Sequence, residues 1–115
     1  MSVAAAQASA FYREAILEGA VWTIRDDGGF PAPMNSSKRR VQPFWSKDSR
    51  ARKVIENVSA YAGFATHKVT LRDFLDKWLP GLERDGLEVG LNWSGDKAVG
   101  YDVPPARVRE RLLGK

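Results

Sequence analysis

The chain carries one histidine, His67, and no cysteine. That scarcity bounds its chemistry first. Thiolate nucleophiles, disulfides and thiolate metal sites are excluded. A catalytic imidazole needs a nucleophile on one nitrogen and an orienting group on the other. Nothing around Ala65-Thr66-His67-Lys68-Val69 identifies either, so His67 reads as a strand-face residue. A zinc site needs three or four ligands, and here all but one would have to be carboxylates. Asp26-Asp27 is the most conspicuous acidic pair. Neighbours on a strand point to opposite faces, and turn formation ahead of Gly28-Gly29 explains both residues without chemistry. Asp73 and Asp76 share one side of a helix near its N-terminal end, where they offset the helix dipole. Gly28-Gly29 runs into Phe30-Pro31 and matches neither a phosphate loop nor a dinucleotide fingerprint. Ser94-Gly95 lacks the glycine two residues upstream that a nucleophile elbow requires. The expectation is a chain without catalytic residues, metal or cofactor.

Charge and aromatic residues offer the other chemistry. Lys38, Arg39, Arg40, Lys47, Arg50, Arg52 and Lys53 oppose Asp48 alone, a local excess of +6 against +4 for the whole chain. Phe44 and Trp45 lie inside this segment. Cations flanking exposed aromatic rings can hold phosphate and stack on bases, although no nucleic-acid motif accompanies them. A solvated basic face over a core containing Phe44 and Trp45 is the simpler reading. Arg107, Arg109 and Arg111 form a second basic stretch, spread around a helix by their every-second spacing and expected to fray. Trp22, Trp45, Trp78 and Trp93 suit either a ligand cage or a core. Trp78 and Trp93 fall on buried stripes, which favours the core. Asn92 alternates with Trp93, so its side chain is expected in solvent or in the hairpin turn.

The elements that must position these residues follow from periodicity. Ala8, Phe11, Tyr12, Ala15 and Ile16 make one apolar stripe on a helix from about Val3 to Glu18, capped by Ser2 and stopped by Gly19. Ala20–Arg25 reads as a strand with Trp22 and Ile24 on one face. Phe30-Pro31-Ala32-Pro33 must be extended. A short or edge strand near Arg40–Trp45 contains Pro43. Ser46 is expected to cap a helix to about Val58, with Ala51, Val54, Ile55 and Val58 buried. A third strand covers Ala65–Val69. Thr70 caps a helix carrying Leu71, Phe74, Leu75, Trp78, Leu79 and Leu82. Pro80 should kink it before Gly86 ends it. Leu87–Trp93 and Val99–Val103 alternate as a hairpin around Ser94-Gly95-Asp96-Lys97. Pro105 opens a final helix to Leu113. The fold class expected is a single α+β domain over 1–115: two layers, a mostly antiparallel sheet of about five strands, and helices mainly on one face.

Several blocks carry a resemblance: Phe11-Tyr12-Arg13-Glu14, Val21 to Pro31, Pro43-Phe44-Trp45-Ser46, Phe74 to Leu82, and Gly90-Leu91-Asn92-Trp93-Ser94-Gly95. Together they resemble a small bacterial family, domain of unknown function 2750, over nearly the whole chain. That likeness carries over no catalytic residues. A more distant similarity, on Gly28, Gly29, Pro43, Phe44, Ser46, Gly90 and Asn92, is to the N-terminal domain of SseB-type proteins. It implies an interaction module in bacterial regulation, secretion or toxin immunity.

The reading is a non-enzymatic protein-binding or regulatory module. Its candidate contact residues are Gly28, Gly29, Phe30, Arg39, Arg40, Trp45, Lys47, Arg50, Arg52 and Lys53. The expected partner is another protein of acidic character, with nucleic-acid binding through residues 38–53 as the alternative. No apolar run approaches the ~20 residues of a membrane span. Met1–Ala8 lacks the features of a secretory signal, so Asn57-Val58-Ser59 is not read as a glycosylation site and the cytoplasm is expected.

Overall fold

Local signals act largely where the sequence places them in the computed structural model, which describes residues 2–114. The elements run α1 (Val3–Glu18), β1 (Ala20–Arg25), β2 (Val41–Phe44), α2 (Asp48–Asn57), a 3-10 turn (Ser59–Tyr61), β3 (Ala65–Thr70), α3 (Leu71–Asp73), a π-helical turn (Phe74–Trp78), α4 (Leu79–Arg84), β4 (Glu88–Ser94), β5 (Val99–Val103) and α5 (Pro105–Leu112). Ser2 Oγ accepts from the Ala5 N–H at 3.1 Å, and Gly19 closes α1 at φ 66°. Ile16 departs from the expected stripe and is 52% exposed. Asp26 Oδ1 accepts from the Gly28 N–H at 2.9 Å, so this carboxylate builds the turn, as its position suggests.

Pro80 acts one turn earlier than a simple kink. It has no amide to return to the preceding turn. The helix widens over Phe74–Trp78, where the Leu79 N–H reaches the Phe74 carbonyl, five residues back. The chain therefore stays helical from α3 through α4. Gly86, at φ 75°, ends it, and the Leu87 N–H closes on the Leu82 carbonyl at 2.9 Å.

Among the described residues the fold is α+β with five strands, and antiparallel pairing predominates. Two features were not expected. The strands form two sheets, β1-β3 and β2-β4-β5, joined where Trp22 and Trp45 exchange two backbone hydrogen bonds of 2.7 Å. Within the larger sheet β2 and β4 are parallel. The chain between them is long enough to cross over and return in the same direction, which a tight turn cannot do. β2 lies at an end of its sheet, as Pro43 requires.

Two core clusters lie on opposite faces. Phe11, Ala15, Val21, Phe44, Phe74, Leu79, Leu91 and Val108 pack beneath α1, the π turn, α4 and α5. Ile24, Val41, Trp45, Ala51, Val54 and Trp93 pack beneath α2. Helices thus cover mainly one face, with α2 alone on the other. The final helix is not frayed: Val108 is fully buried, Leu112 nearly so, and the Arg111 guanidinium lies 4.4 Å from the Tyr12 ring centre. No helix among the described residues is long and apolar enough to cross a membrane.

Candidate functional site

Where α1, the start of α2 and β4 meet, five polar side chains converge. Gln7 and Glu14 stand seven residues apart on α1, two turns along one side. Arg50 projects from α2. Its Nε and Nη2 donate to Glu14 Oε1 and Oε2 at 2.8 and 2.9 Å, and its Nη1 donates to Gln7 Oε1 at 2.6 Å. Ser46 Oγ donates to Glu14 Oε1 at 2.7 Å. Asn92 completes the set. Its Oδ1 accepts from the Ser46 N–H at 2.9 Å, and its Nδ2 donates to the Gln7 carbonyl at 3.1 Å and to Ser46 Oγ at 3.0 Å.

Ser46 is therefore not a helix cap. α2 begins at Asp48 with Lys47 at the cap position and no side-chain capping bond. Asn92 is not in solvent either: it is 1% exposed. Its φ of 50° coincides with a register shift between Leu91 and Ser94. β4 is the middle strand of its sheet with core on both faces, so Asn92 and Trp93 are both buried, as are Val89, Gly90 and Leu91 before them. Trp93 then sends its Nε1 to Asp102 Oδ1 at 2.8 Å, and its carbonyl accepts from Trp45 Nε1 at 2.8 Å.

The Arg50 hydrogen bonds hold the Glu14 carboxyl below the ordinary glutamate value of 4.5; burial opposes this, and Ser46 and Lys47 reinforce it. A depressed folded pKa stabilises the fold above the unfolded value, and this contribution disappears as pH falls through the folded one. Glu14→Gln is therefore expected to be less stable than wild type near pH 7 by roughly 1.5–3 kcal/mol, the range for hydrogen bonds to charged groups. Urea denaturation across acid pH should show that gap narrowing below about 4.5.

Beside this network a cleft of about 440 Å³ opens between α1, α2 and the β4–β5 hairpin. Val54 and Trp93 supply apolar wall over the buried Trp45, Asn92 and Gln7 polar floor, and Arg50, Lys53 and Asp96 charge. A concave site that combines apolar wall with convergent polar groups has the form of a small-ligand or side-chain receptor.

The ten expected contact residues do not form one surface, because β2 intervenes and residues 41–46 are all buried. Gly28, Gly29, Phe30, Arg39 and Arg40 gather at one end of it. Phe30 packs edge-on against Trp78 and His67, with ring centres 5.1 and 5.2 Å away. Arg40 Nη1 donates to the Ala32 carbonyl at 3.2 Å, and Arg39 is exposed. Lys47, Arg50, Arg52 and Lys53 lie at the other end. Trp45 is fully buried and its indole N–H is bonded, so it cannot be a surface contact. Phe44 is equally buried. The basic run is also partly neutralised. Lys47 pairs with Glu18, Arg50 with Glu14 and Arg52 with Asp48. Lys53 remains exposed on the cleft rim. His67 sits opposite Thr23 in the β1–β3 register and packs beside Phe30 and Trp78. Among the described residues no three His, Asp or Glu side chains are grouped to hold a metal.

Sequence reasoning missed Gln7, Glu14, Ser46 and Asn92 as a unit. One signal was available: asparagine is disfavoured inside strands and among the residues best tolerated at positive φ.

The structure is thus a small α+β domain with a polar-floored cleft beside a closed hydrogen-bond network. Residues 8–112 match the family described as "Protein of unknown function (DUF2750)", and the chain belongs to it. No curated protein matches the chain.

Proposed function

We propose that this protein works by binding, docking an acidic segment of another protein against α2 with one partner side chain seated in the cleft. The observation that carries this reading is the closure of the polar network. Glu14 is held ionised with both oxygens engaged, and the Ser46 hydroxyl and Asn92 amide are bonded within the fold. Groups so committed make a rigid floor and poor proton carriers. At the cleft stand both Lys53 and Asp96, and Lys53, which forms no ion pair among the described residues, is the positive charge an acidic side chain would meet. Such charge steers encounter with an acidic partner more than it adds affinity. Phe44 and Trp45 are buried, so neither offers a ring on which a base of single-stranded nucleic acid could stack.

The test is affinity capture from the native host after nuclease treatment, comparing wild type with Lys53→Glu and Arg39→Glu. A protein recovered by wild type and Arg39→Glu, but depleted about tenfold by Lys53→Glu, supports docking at the α2 end. Loss with Arg39→Glu alone moves the surface to the other end of β2. Capture that vanishes with nuclease assigns the basic residues to nucleic acid. Recovery indifferent to both substitutions rejects the proposal. Arg50 is unsuitable for this test, since reversing its charge would disrupt the floor.

A further inference from the structure

α1 separates the cleft from a second groove. Gln7 and Glu14 lie on one flank of the helix; Ala5, Ala8 and Tyr12 lie on the opposite one, by the 100° step per residue. The second groove, about 250 Å³, has Ala8, Leu91 and Val103 in its lining, with Tyr12 and Tyr101 beside them and Arg107 and Arg111 from α5. Three features make it more than a surface dimple. β5 is the end strand of the sheet β2-β4-β5. Val99 and Tyr101, alternate residues of that strand, are 64% and 46% exposed. Arg107 and Arg111 lie four apart on one side of α5, and among the described residues neither forms an ion pair. The Arg111 guanidinium is already positioned, stacked on Tyr12. Both arginines lower the Tyr12 hydroxyl pKa against the larger raising effect of burial, which places both charges near that ring.

The geometry points to an extended acidic polypeptide segment as the occupant, added to the free edge of β5 with its carboxylates toward Arg107 and Arg111. An end strand leaves main-chain donors and acceptors open to another chain. The spacing also fits. Residues four apart on a helix are separated by about 6 Å of rise. Residues i and i+2 on a strand share a face at about 6.6 Å. A segment with acidic residues at i and i+2 therefore offers one carboxylate to each guanidinium on the face that Tyr101 and Val103 present to the groove, while its alternate, apolar positions lie on the other face of the extended sheet. Arginine suits this task because its planar fork holds a carboxylate through two hydrogen bonds.

The experiment titrates an end-blocked peptide alternating glutamate and valine into isotope-labelled full-length protein, followed by NMR. A lysine-for-glutamate peptide is the control. The glutamate peptide should shift the amides of Val99 to Val103 and the side-chain signals of Arg107 and Arg111. Arg107→Glu with Arg111→Glu should weaken it about tenfold or more and admit the lysine peptide. If that double variant does not fold, Arg107→Gln should weaken the glutamate peptide without changing the amide spectrum elsewhere. Lys53→Glu, across α1, should leave all these shifts intact, so failure here and failure of the α2 cleft are separable. Unmoved β5 amides at millimolar glutamate peptide overturn the inference. So does equal binding of the lysine peptide to wild type. Concentration-dependent β5 shifts without peptide also overturn it, since a second copy would then occupy the edge.

Discussion

Gly90→Ala is expected to destabilise the protein by about 3 kcal/mol, the upper end for forcing atoms into a packed core. A Cβ at position 90 would sit inside the Trp93 indole, 2.7 Å from Cζ2 and closer still to Cε2 and Nε1. The ring has little freedom to retreat. Its Nε1 is tied to Asp102, and the backbone behind it accepts the Trp45 indole N–H. On the neighbouring strand, a Cβ at Gly100 would already lie 3.0 Å from Trp93 Cδ1. Accommodating the methyl group therefore means moving the indole and losing its bond to Asp102, which itself is hydrogen-bonded to Asn35. Such a loss is a substantial share of the 5–15 kcal/mol that holds a domain together. Urea denaturation should show it as a lower midpoint at unchanged slope. Trp93→Leu in the same chain should recover part of the loss, because the two residues share one space and their effects cannot add. A Gly90→Ala protein within about 0.5 kcal/mol of wild type, the range of ordinary surface substitutions, would mean that the indole is not fixed as described.

The same strand shows what could be read from sequence and what could not. α1 is legible because its boundaries are decided by neighbours. Ser2 bonds Ala5, Gly19 takes the left-handed turn, and neither needs the rest of the fold. The β4–β5 hairpin is legible because its pairing joins adjacent segments. The parallel pairing of β2 with β4 is not, since every element from α2 to α4 lies between them. The polar network is hidden for the same reason. Asn92 meets residues 46 and 85 positions away, and Arg50 meets Glu14 across 36. Arg50 therefore looks like one member of a solvated run, although its carboxylate partner waits on a distant helix. Burial of the run from Val41 to Ser46 follows from the sheet joint at Trp22 and Trp45, which composition does not encode. This is why the ten expected contacts separate into two groups.

The network makes Asn92 the second position of large effect. Asn92→Ala is expected to cost about 3 kcal/mol or more, from two sources. The first is polar: the Ser46 N–H loses its acceptor, and the Gln7 carbonyl and Ser46 hydroxyl lose a donor. Buried groups left unpaired cost about 1–3 kcal/mol each unless water reaches them, and the adjoining cleft gives it a route to part of the site. The second is conformational: alanine at φ 50° meets the left-handed penalty of about 1–2 kcal/mol, which asparagine lessens and glycine avoids. Asn92→Gly separates the two. It keeps the backbone free to turn and removes the same side-chain bonds, so it should be about 1 kcal/mol more stable than Asn92→Ala while remaining well below wild type. Denaturation midpoints of the three proteins at one pH decide this. Equal stability of the two variants would mean that the positive φ relaxes and imposes no penalty. Stability of both near wild type would mean that Ser46 and Gln7 find other partners, and that the cleft floor does not depend on this amide. The expected ordering, wild type above glycine above alanine, ties the irregularity in β4 to the site it builds: a left-handed residue is tolerated there because it turns an amide onto α1 and onto Ser46 ahead of α2, and that amide holds the cleft's polar floor in place.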